Sequence, residues 1–155
     1  GSASSKTRHR VALKSWIQVL ILAPHTDDGE FGCGGSIAKF IEQDCEVFYV
    51  AFSTAEESVP PPFPKDILKT EVKQATRVLG IDPGNIILYD YRVRYLAKYR
   101  QEILEHLVAL NKDIKPDLVF MPCLNDLHQD HYTIAIEGLR AFKKNFYTWL
   151  RNTME

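Results

Sequence analysis

The segment WIQVLILA at residues 16–23 is almost continuously apolar and leads directly into the polar segment PHTDDGE at residues 24–30. A short apolar run with β-branched residues is typical of a strand that is covered on both faces of a sheet. Comparable runs at 46–52, 85–89 and 117–121 predict three further strands. The polar segment 24–30, which follows the first strand, is therefore expected at one edge of the predicted sheet.

Helices are predicted between these strands from the helical spacing of apolar residues. One begins at Gly34-Gly35, and the others cover 66–79, 95–112 and 132–145. Gly80 ends the second helix, and the proline-rich segment 53–64 is a loop. Alternating strands and helices indicate βαβ units with right-handed crossovers. We therefore expect an α/β fold, a Rossmann-like three-layer sandwich with a mainly parallel sheet and a strand order near 3-2-1-4.

Composition limits the classes of function. The chain has 155 residues and a formal net charge of −1, which fits one soluble domain and no nucleic-acid surface. No run is long enough to span a membrane. An odd number of cysteines without metal spacing predicts reduced thiols and a cytoplasmic setting. We expect residues 1–15 to be a tag remnant and N-terminal extension, and residues 16–155 to form a single domain.

A second polar segment, NDLHQDH at residues 125–131, follows the fourth predicted strand. In a doubly wound sheet the first and fourth strands are neighbours at the switch point, and ligands bind at the carboxyl ends of the strands there. The topology therefore brings His25, Asp28 and His131 to one edge. These residue types are ligands for a divalent, zinc-like ion, and three of them leave an open position suited to hydrolysis.

Further roles are assigned by residue type. Asp27, next to a ligand, is the expected general base, and His128 is expected to stabilise an oxyanion. Asp130 is expected to hydrogen-bond an imidazole and fix its tautomer. The alternative interpretations are structural: His25 as a buried strand-end histidine, and His128, Asp130 and His131 as caps of the last helix, with Asp130 favoured.

The two polar segments resemble the signatures of a known family. Residues 24–35, PHTDDGEFGCGG, resemble its His-Pro-Asp-Asp pattern with a glycine-rich turn, and residues 126–131 resemble its Asp-x-His-x-Asp-His pattern. On these motifs the chain is identified as similar to the LmbE-like, or PIG-L, deacetylases over about residues 16–140. Thr26 replaces the usual proline. We expect the glycines of the turn to serve close packing around the metal.

The resemblance implies zinc-dependent removal of acetyl groups from N-acetylglucosamine-type sugars or their conjugates. It places the metal ligands on His25, Asp28 and His131, the base on Asp27 and the oxyanion imidazole on His128. Zn²⁺ or another divalent first-row metal is the expected cofactor, an amino sugar the expected small-molecule partner, and a homo-oligomer is compatible with the sequence.

Family members usually continue beyond the second signature with further elements, so a C-terminally shortened member, a fragment and an altered product are all compatible with the sequence. Two alternatives stay open: an amidase acting on a larger acyl group or a thiol conjugate, and a non-catalytic metal- or sugar-binding member. The aromatic residues near the end predict a packed helix face or an oligomer contact; they are Phe142, Phe146, Tyr147 and Trp149.

Overall fold

A computed structural model of the chain describes residues 17–26, 28–143 and 146–149, with the side chains of 28–33, 58 and 146–149 excepted. The predicted N-terminal extension and Asp27 lie outside the described residues.

The centre of the molecule is a parallel sheet. Its strands are β1 Gln18–His25, β2 Glu46–Ser53, β3 Ile86–Leu88, β4 Leu118–Pro122 and β5 Phe146–Trp149. They lie in the order β3-β2-β1-β4-β5, and every neighbouring pair is parallel. The predicted α/β fold and the order 3-2-1-4 are therefore confirmed, and a fifth strand extends the sheet beyond β4.

Helices cover the sheet between these strands. They are α1 Asp28–Glu42, α2 Ile67–Leu79, α3 Arg100–Ile114 and α4 Gln129–Ala141, with short 3-10 turns at Glu56–Ser58, Pro83–Asn85 and Leu96–Tyr99. Gly80 ends α2 as predicted. Its φ of 94° is left-handed, and an added Cβ would lie 3.1 Å from Cγ2 of Ile41. Glycine suits this position because it adopts positive φ without steric cost.

The strands alternate their side chains between two apolar layers. In β1, Leu20 and Leu22 belong to a core that includes residues of α3 and α4, whereas Val19 and Ile21 belong to a core that includes residues of α1 and α2. All four side chains are fully buried. The continuous apolar run of β1 thus reflects coverage on both faces, which gives the three predicted layers.

The start of α1 differs from the prediction. The helix begins at Asp28, six residues before Gly34. An added Cβ at Gly34 or Gly35 would meet no described atom within 4 Å, so close packing does not explain these two glycines. Glycine costs about 1 kcal/mol relative to alanine within a helix, but helix propensity is a weak indicator that tertiary context overrides.

The end of the described chain also differs. Helix α4 ends at Ala141, and residues 146–149 form β5, which pairs with β4 from Val119↔Phe146 to Pro122↔Trp149. The prediction of a helix face was therefore wrong for the last three aromatic residues. A short apolar run has no decisive period, and the edge of β4 offers backbone hydrogen bonds to it.

The register of the sheet determines where the polar segments meet. Strand β4 pairs with β1 at Val19↔Leu118, Leu20↔Val119 and Ile21↔Phe120, so both strands run towards the same edge. His25 ends β1 there, and α4 follows β4 after a short connection. None of the helices in the described ranges has the length and hydropathy required to cross a bilayer.

Candidate metal centre

Three imidazoles meet at the carboxyl edge of the sheet. Ring centroids of His25 and His128 are 4.9 Å apart, those of His25 and His131 are 5.4 Å apart, and those of His128 and His131 are 4.8 Å apart. Two imidazoles on one tetrahedral zinc-like ion have centroids roughly 5 Å apart, given a metal–nitrogen bond of about 2.1 Å. All three pairs satisfy this distance, so distance alone does not show which two rings would bind an ion. The hydrogen bonds of the rings differ, and they separate the three histidines.

Asp130 binds His25. Its Oδ2 lies 2.8 Å from His25 Nε2, and the same carboxylate accepts the backbone N–H groups of Arg94 at 2.6 Å and Leu96 at 3.2 Å. The residue is fully buried. Burial by itself raises the pKa of a carboxyl group, but the hydrogen bonds from His25, Arg94 and Leu96 outweigh it and hold the pKa of Asp130 below its ordinary value. The group is therefore ionised and acts as an acceptor.

Asp126 binds His131 in the same way. Its Oδ2 lies 2.8 Å from His131 Nδ1, and its Oδ1 accepts the backbone N–H of His128 at 3.0 Å. The side chains of His131 and Asp126 are 3% and 5% exposed. Asp126 is the site residue that sequence reasoning missed as an individual contributor, although it begins the second signature. Its five-residue separation from His131 is the signal that could have identified it.

His128 makes the opposite kind of contact. It is the N-cap of α4, and its Nδ1 accepts the backbone N–H of Asp130 at 3.1 Å. Of the three residues considered as caps of the last helix, His128 is at the N-cap, whereas the favoured Asp130 is not. Asp130 lies in the first turn of α4 and points to His25 instead.

For neutral rings, the contacts with Asp130, with Asp126 and with the backbone N–H of Asp130 favour one tautomer of each imidazole. A carboxylate only accepts, so His25 carries its proton on Nε2 and His131 on Nδ1. The lone pairs of these two rings are then on Nδ1 of His25 and Nε2 of His131. In His128 the lone pair is on Nδ1, which accepts an N–H, so its proton is on Nε2. In these tautomers Nδ1 of His25 and Nε2 of His131 are the nitrogens of the type that binds a cation, and Nε2 of His128 is a donor.

A different trio also has convergent ligand atoms, because those of His25, His128 and Asp130 lie within 4.8 Å of one another. This grouping suits a metal poorly. The oxygens of Asp130 already accept three hydrogen bonds, and the lone pair of His128 accepts the backbone N–H of Asp130. A carboxylate that orients an imidazole from behind is the usual partner of a metal-binding histidine.

The remaining predicted residues, Asp27 and Asp28, follow β1 in the sequence. Asp27 and the side chain of Asp28 lie outside the described residues, although the backbone of Asp28 begins α1. Thr26, which precedes them, is 4% exposed, and its carbonyl accepts a hydrogen bond from the buried Tyr49 hydroxyl at 2.8 Å. This contact between β2 and Thr26 fixes the backbone from which the two carboxylates follow.

The fold is shared with several solved structures. It matches N,N'-diacetylchitobiose deacetylase from Pyrococcus horikoshii, solved with its inhibitor MPG, with a TM-score of 0.69 and 26% identity. That match covers 80% of this chain and 48% of the other, so the chain spans about half the length of that deacetylase.

Two further solved structures have a similar fold. The conserved protein TT1542 from Thermus thermophilus has a TM-score of 0.71 and 25% identity, with 88% of this chain and 67% of the other covered. GalB, the 4-carboxy-2-hydroxymuconate hydratase from Pseudomonas putida, has a TM-score of 0.70 and 20% identity, with 81% and 55% covered. The latter similarity concerns the fold alone.

The sequence profile described as "PIG-L: GlcNAc-PI de-N-acetylase" matches residues 20–142, which include both polar segments and all three clustered histidines. This confirms the resemblance found in the sequence. The chain belongs to the PIG-L family.

Proposed function

We propose that the protein is a metal-dependent N-deacetylase that removes the acetyl group from an N-acetylglucosamine-type sugar or conjugate. The observation that carries this proposal is the opposed hydrogen bonding of the three imidazoles. His25 and His131 each hold a carboxylate on one ring nitrogen, whereas His128 accepts a backbone N–H. Family membership and the deacetylase from Pyrococcus horikoshii support the type of reaction.

The donor set fits a divalent first-row metal, with zinc the first candidate. His25 through Nδ1, His131 through Nε2 and the Asp28 carboxylate are the proposed ligands, the last by the family pattern. Nitrogen and carboxylate ligands of this kind are typical of catalytic zinc sites with an open position. When bound, such an ion lowers the pKa of a coordinated water to about 7 and polarises the acetyl carbonyl.

His128 is the proposed oxyanion donor. Because its Nδ1 accepts the N–H of Asp130, the neutral ring presents Nε2–H. Attack on an acetyl carbon moves negative charge onto the carbonyl oxygen, and an N–H donor that is already oriented stabilises that charge without reorganisation. The N-cap position fixes the ring, since the same contact begins α4.

Asp27 is the proposed general base, and Asp126 and Asp130 are positioning residues. Asp27 takes a proton from the attacking water as the new C–O bond forms. It then delivers that proton to the sugar nitrogen as the C–N bond breaks. The products are acetate and the free amine. Asp126 and Asp130 hydrogen-bond imidazoles and act through them.

The first test combines zinc analysis with acetate release from N-acetylglucosamine and diacetylchitobiose. The wild-type protein should hold one zinc per chain and release acetate, and chelation should abolish the release. Asp27→Asn should retain zinc and lose at least about 10²-fold in kcat, since general-base catalysis contributes about 10²–10⁴-fold. Asp66→Asn, an N-cap carboxylate of α2, is the matched control and should keep wild-type activity.

Several outcomes would contradict the proposal. Full activity of Asp27→Asn would exclude the assigned mechanism. Turnover of larger N-acyl or thiol conjugates, with none of acetyl sugars, would favour the related amidase. A zinc-loaded protein that binds the sugars but releases no acetate would indicate a non-catalytic member.

A second test does not depend on activity. In the metal-free protein, ¹⁵N NMR of the imidazoles should find protons on Nε2 of His25, Nδ1 of His131 and Nε2 of His128. Zinc should shift the resonances of Nδ1 of His25 and Nε2 of His131 most strongly. A proton on Nδ1 of His128 would contradict the oxyanion role.

A further inference from the structure

The connection between β3 and α3 passes beside the candidate metal centre. We name residues 91–96 the strap. Its first half is held by hydrogen bonds to β2 and to the segment that follows β2: Tyr91 N–H donates to the carbonyl of Phe52 at 3.0 Å, and Val93 N–H donates to Oε1 of Glu57 at 3.3 Å. The family signatures do not include the strap, and the mechanism above does not use it.

Arg94 has an unusual backbone within the strap. Its φ is 74°, in the left-handed region that non-glycine residues rarely adopt, while its side chain is exposed. A left-handed residue in a turn can aim nearby N–H groups at one anion. Here the N–H groups of Arg94 and Leu96 both donate to the carboxylate of Asp130, at 2.6 and 3.2 Å. Local strain that persists in a fold indicates that surrounding contacts maintain it.

The contact with Arg94 is shared with the metal centre. Oδ2 of Asp130 accepts both the N–H of Arg94 and Nε2–H of His25, at 2.6 and 2.8 Å. The strap thus holds the carboxylate oxygen that orients His25. The N–H groups of the strap also occupy lone pairs of the Asp130 carboxylate that a cation would otherwise bind. The exposed guanidinium group of Arg94 takes no part in these contacts.

We infer that Arg94 is a positioning residue of the metal centre and that it acts through its backbone N–H. The strap keeps Asp130 behind His25, so that Asp130 orients the ligand and does not itself bind the metal. This inference rests on the proposed function, because it requires His25 to be a ligand.

The test separates the backbone of Arg94 from its side chain. Arg94→Gly keeps the N–H and adopts positive φ without strain, so zinc affinity should stay within about twofold of wild type. Arg94→Pro removes the N–H and cannot adopt φ of 74°, so zinc affinity should fall about tenfold, at the low end for outer partners of metal ligands. At saturating zinc, kcat of Arg94→Pro should fall more than KM rises.

Lys115 provides the matched control. It is also an exposed left-handed residue, with φ of 52°, and its N–H donates to the carbonyl of Asn111 at the end of α3. Lys115→Gly and Lys115→Pro should both bind zinc within about twofold of wild type, although the proline variant lowers Tm. A loss of stability alone would therefore affect both proline variants, whereas a positioning role affects zinc binding only at Arg94.

Two results would overturn the inference: a folded Arg94→Pro that binds zinc like wild type, or an Arg94→Gly that loses affinity as strongly as the proline variant. The second result would assign the effect to the guanidinium group. If the wild-type protein binds no zinc, the proposed function itself fails. If wild type binds zinc but releases no acetate, only the catalytic assignment fails and the strap is still tested by affinity.

A measurement on the wild-type protein covers the case in which Arg94→Pro does not fold. Zinc binding at His25 should stabilise the two hydrogen bonds that link His25 to Asp130 and Asp130 to the Arg94 N–H of the strap. Hydrogen exchange of the Arg94 amide should therefore slow severalfold on zinc addition, while that of the Lys115 amide should not change. Equal behaviour of the two amides would overturn the inference.

Discussion

Carboxylates lie at both edges of the parallel sheet, but their surroundings differ. At the carboxyl edge, Asp126 and Asp130 are almost completely buried and each lies 2.8 Å from an imidazole nitrogen. At the amino edge, Glu46 and Asp117 are exposed, and they accept hydrogen bonds from the Asn85 amide at 3.3 Å and the Gln18 backbone at 2.8 Å. The amino-edge contacts tie strands together.

The comparison shows which property marks a functional site here. A cavity of about 530 Å³ lies at the amino edge, and its described lining includes Asp44, Cys45 and Glu46 but no imidazole. Burial of a charge is unfavourable unless the charge is paired and hydrogen-bonded. Buried carboxylates whose partners are imidazoles therefore indicate chemistry, whereas cavity size does not.

The largest expected effect tests the contrast between the two edges. His131→Ala removes a proposed ligand, so zinc should no longer be retained and acetate release should fall to background. Glu46→Gln at the amino edge should keep one zinc per chain and wild-type activity. Metal analysis after dialysis and the acetate assay measure both. Loss of zinc from Glu46→Gln would reverse the assignment of the edges.

A second experiment sharpens the contrast within the carboxyl edge. His128→Ala should lower kcat by about 10²–10³, the usual effect of removing one oxyanion donor, while zinc affinity changes little. Steady-state kinetics and zinc titration on the same preparation give the two values. A loss of zinc as complete as in His131→Ala would instead make His128 a ligand.

A third experiment compares two carboxylates with equally short hydrogen bonds. Asp126→Asn should weaken zinc binding about ten- to a hundredfold, because Asp126 orients His131. Asp117→Asn should leave zinc affinity unchanged, because Asp117 accepts a backbone N–H at the opposite edge. Competition with a chromogenic chelator measures both affinities. Equal losses in the two variants would mean that fold stability, and not ligand orientation, controls zinc binding.

The smallest expected effect concerns stability and pH. Because the pKa of Asp130 is lowered on folding, the folded state binds its proton less readily than the unfolded state. This contribution to stability is present above the ordinary value of 3.8 and is lost as the pH falls through the folded pKa. Asp130→Asn should therefore reduce the free energy of unfolding by about 1–2 kcal/mol at neutral pH, between the usual net contributions of a neutral hydrogen bond and of one to a charged group.

Urea unfolding with a chelator present would measure this difference across pH. The two proteins should converge in acid, where wild-type Asp130 is also neutral. A difference that is constant down to the lowest pH would mean that the lowered pKa makes no contribution.

Prediction from sequence succeeded where one residue or one local pattern decides the structure. The apolar run of β1 predicted a doubly covered strand, and the order of strands followed from the alternation of elements. It failed where local signals were weak, at the start of α1 and at β5. Gly34 and Gly35 suggested a helix start, whereas the segment from Asp28 is already helical.

Within the candidate site, the residue types were evident from the sequence but their contacts were not. That Asp130 faces His25 and that His128 caps α4 depends on side-chain directions in the first turn of one helix. Asp126 was missed although it lies only five residues from His131. The contribution of the strap could not be predicted, because a contact across 36 residues, such as that between Arg94 and Asp130, has no local signature.

The sequence by itself determined the layered α/β fold, the family and the two polar segments that end neighbouring strands, because apolar periodicity and short motifs are local properties. Only the tertiary structure decided which nitrogen of each imidazole carries its proton. That choice depends on whether the atom opposite is a carboxylate oxygen or a backbone N–H, and the pairing of β1 with β4 and the first turn of α4 bring those atoms within hydrogen-bond distance.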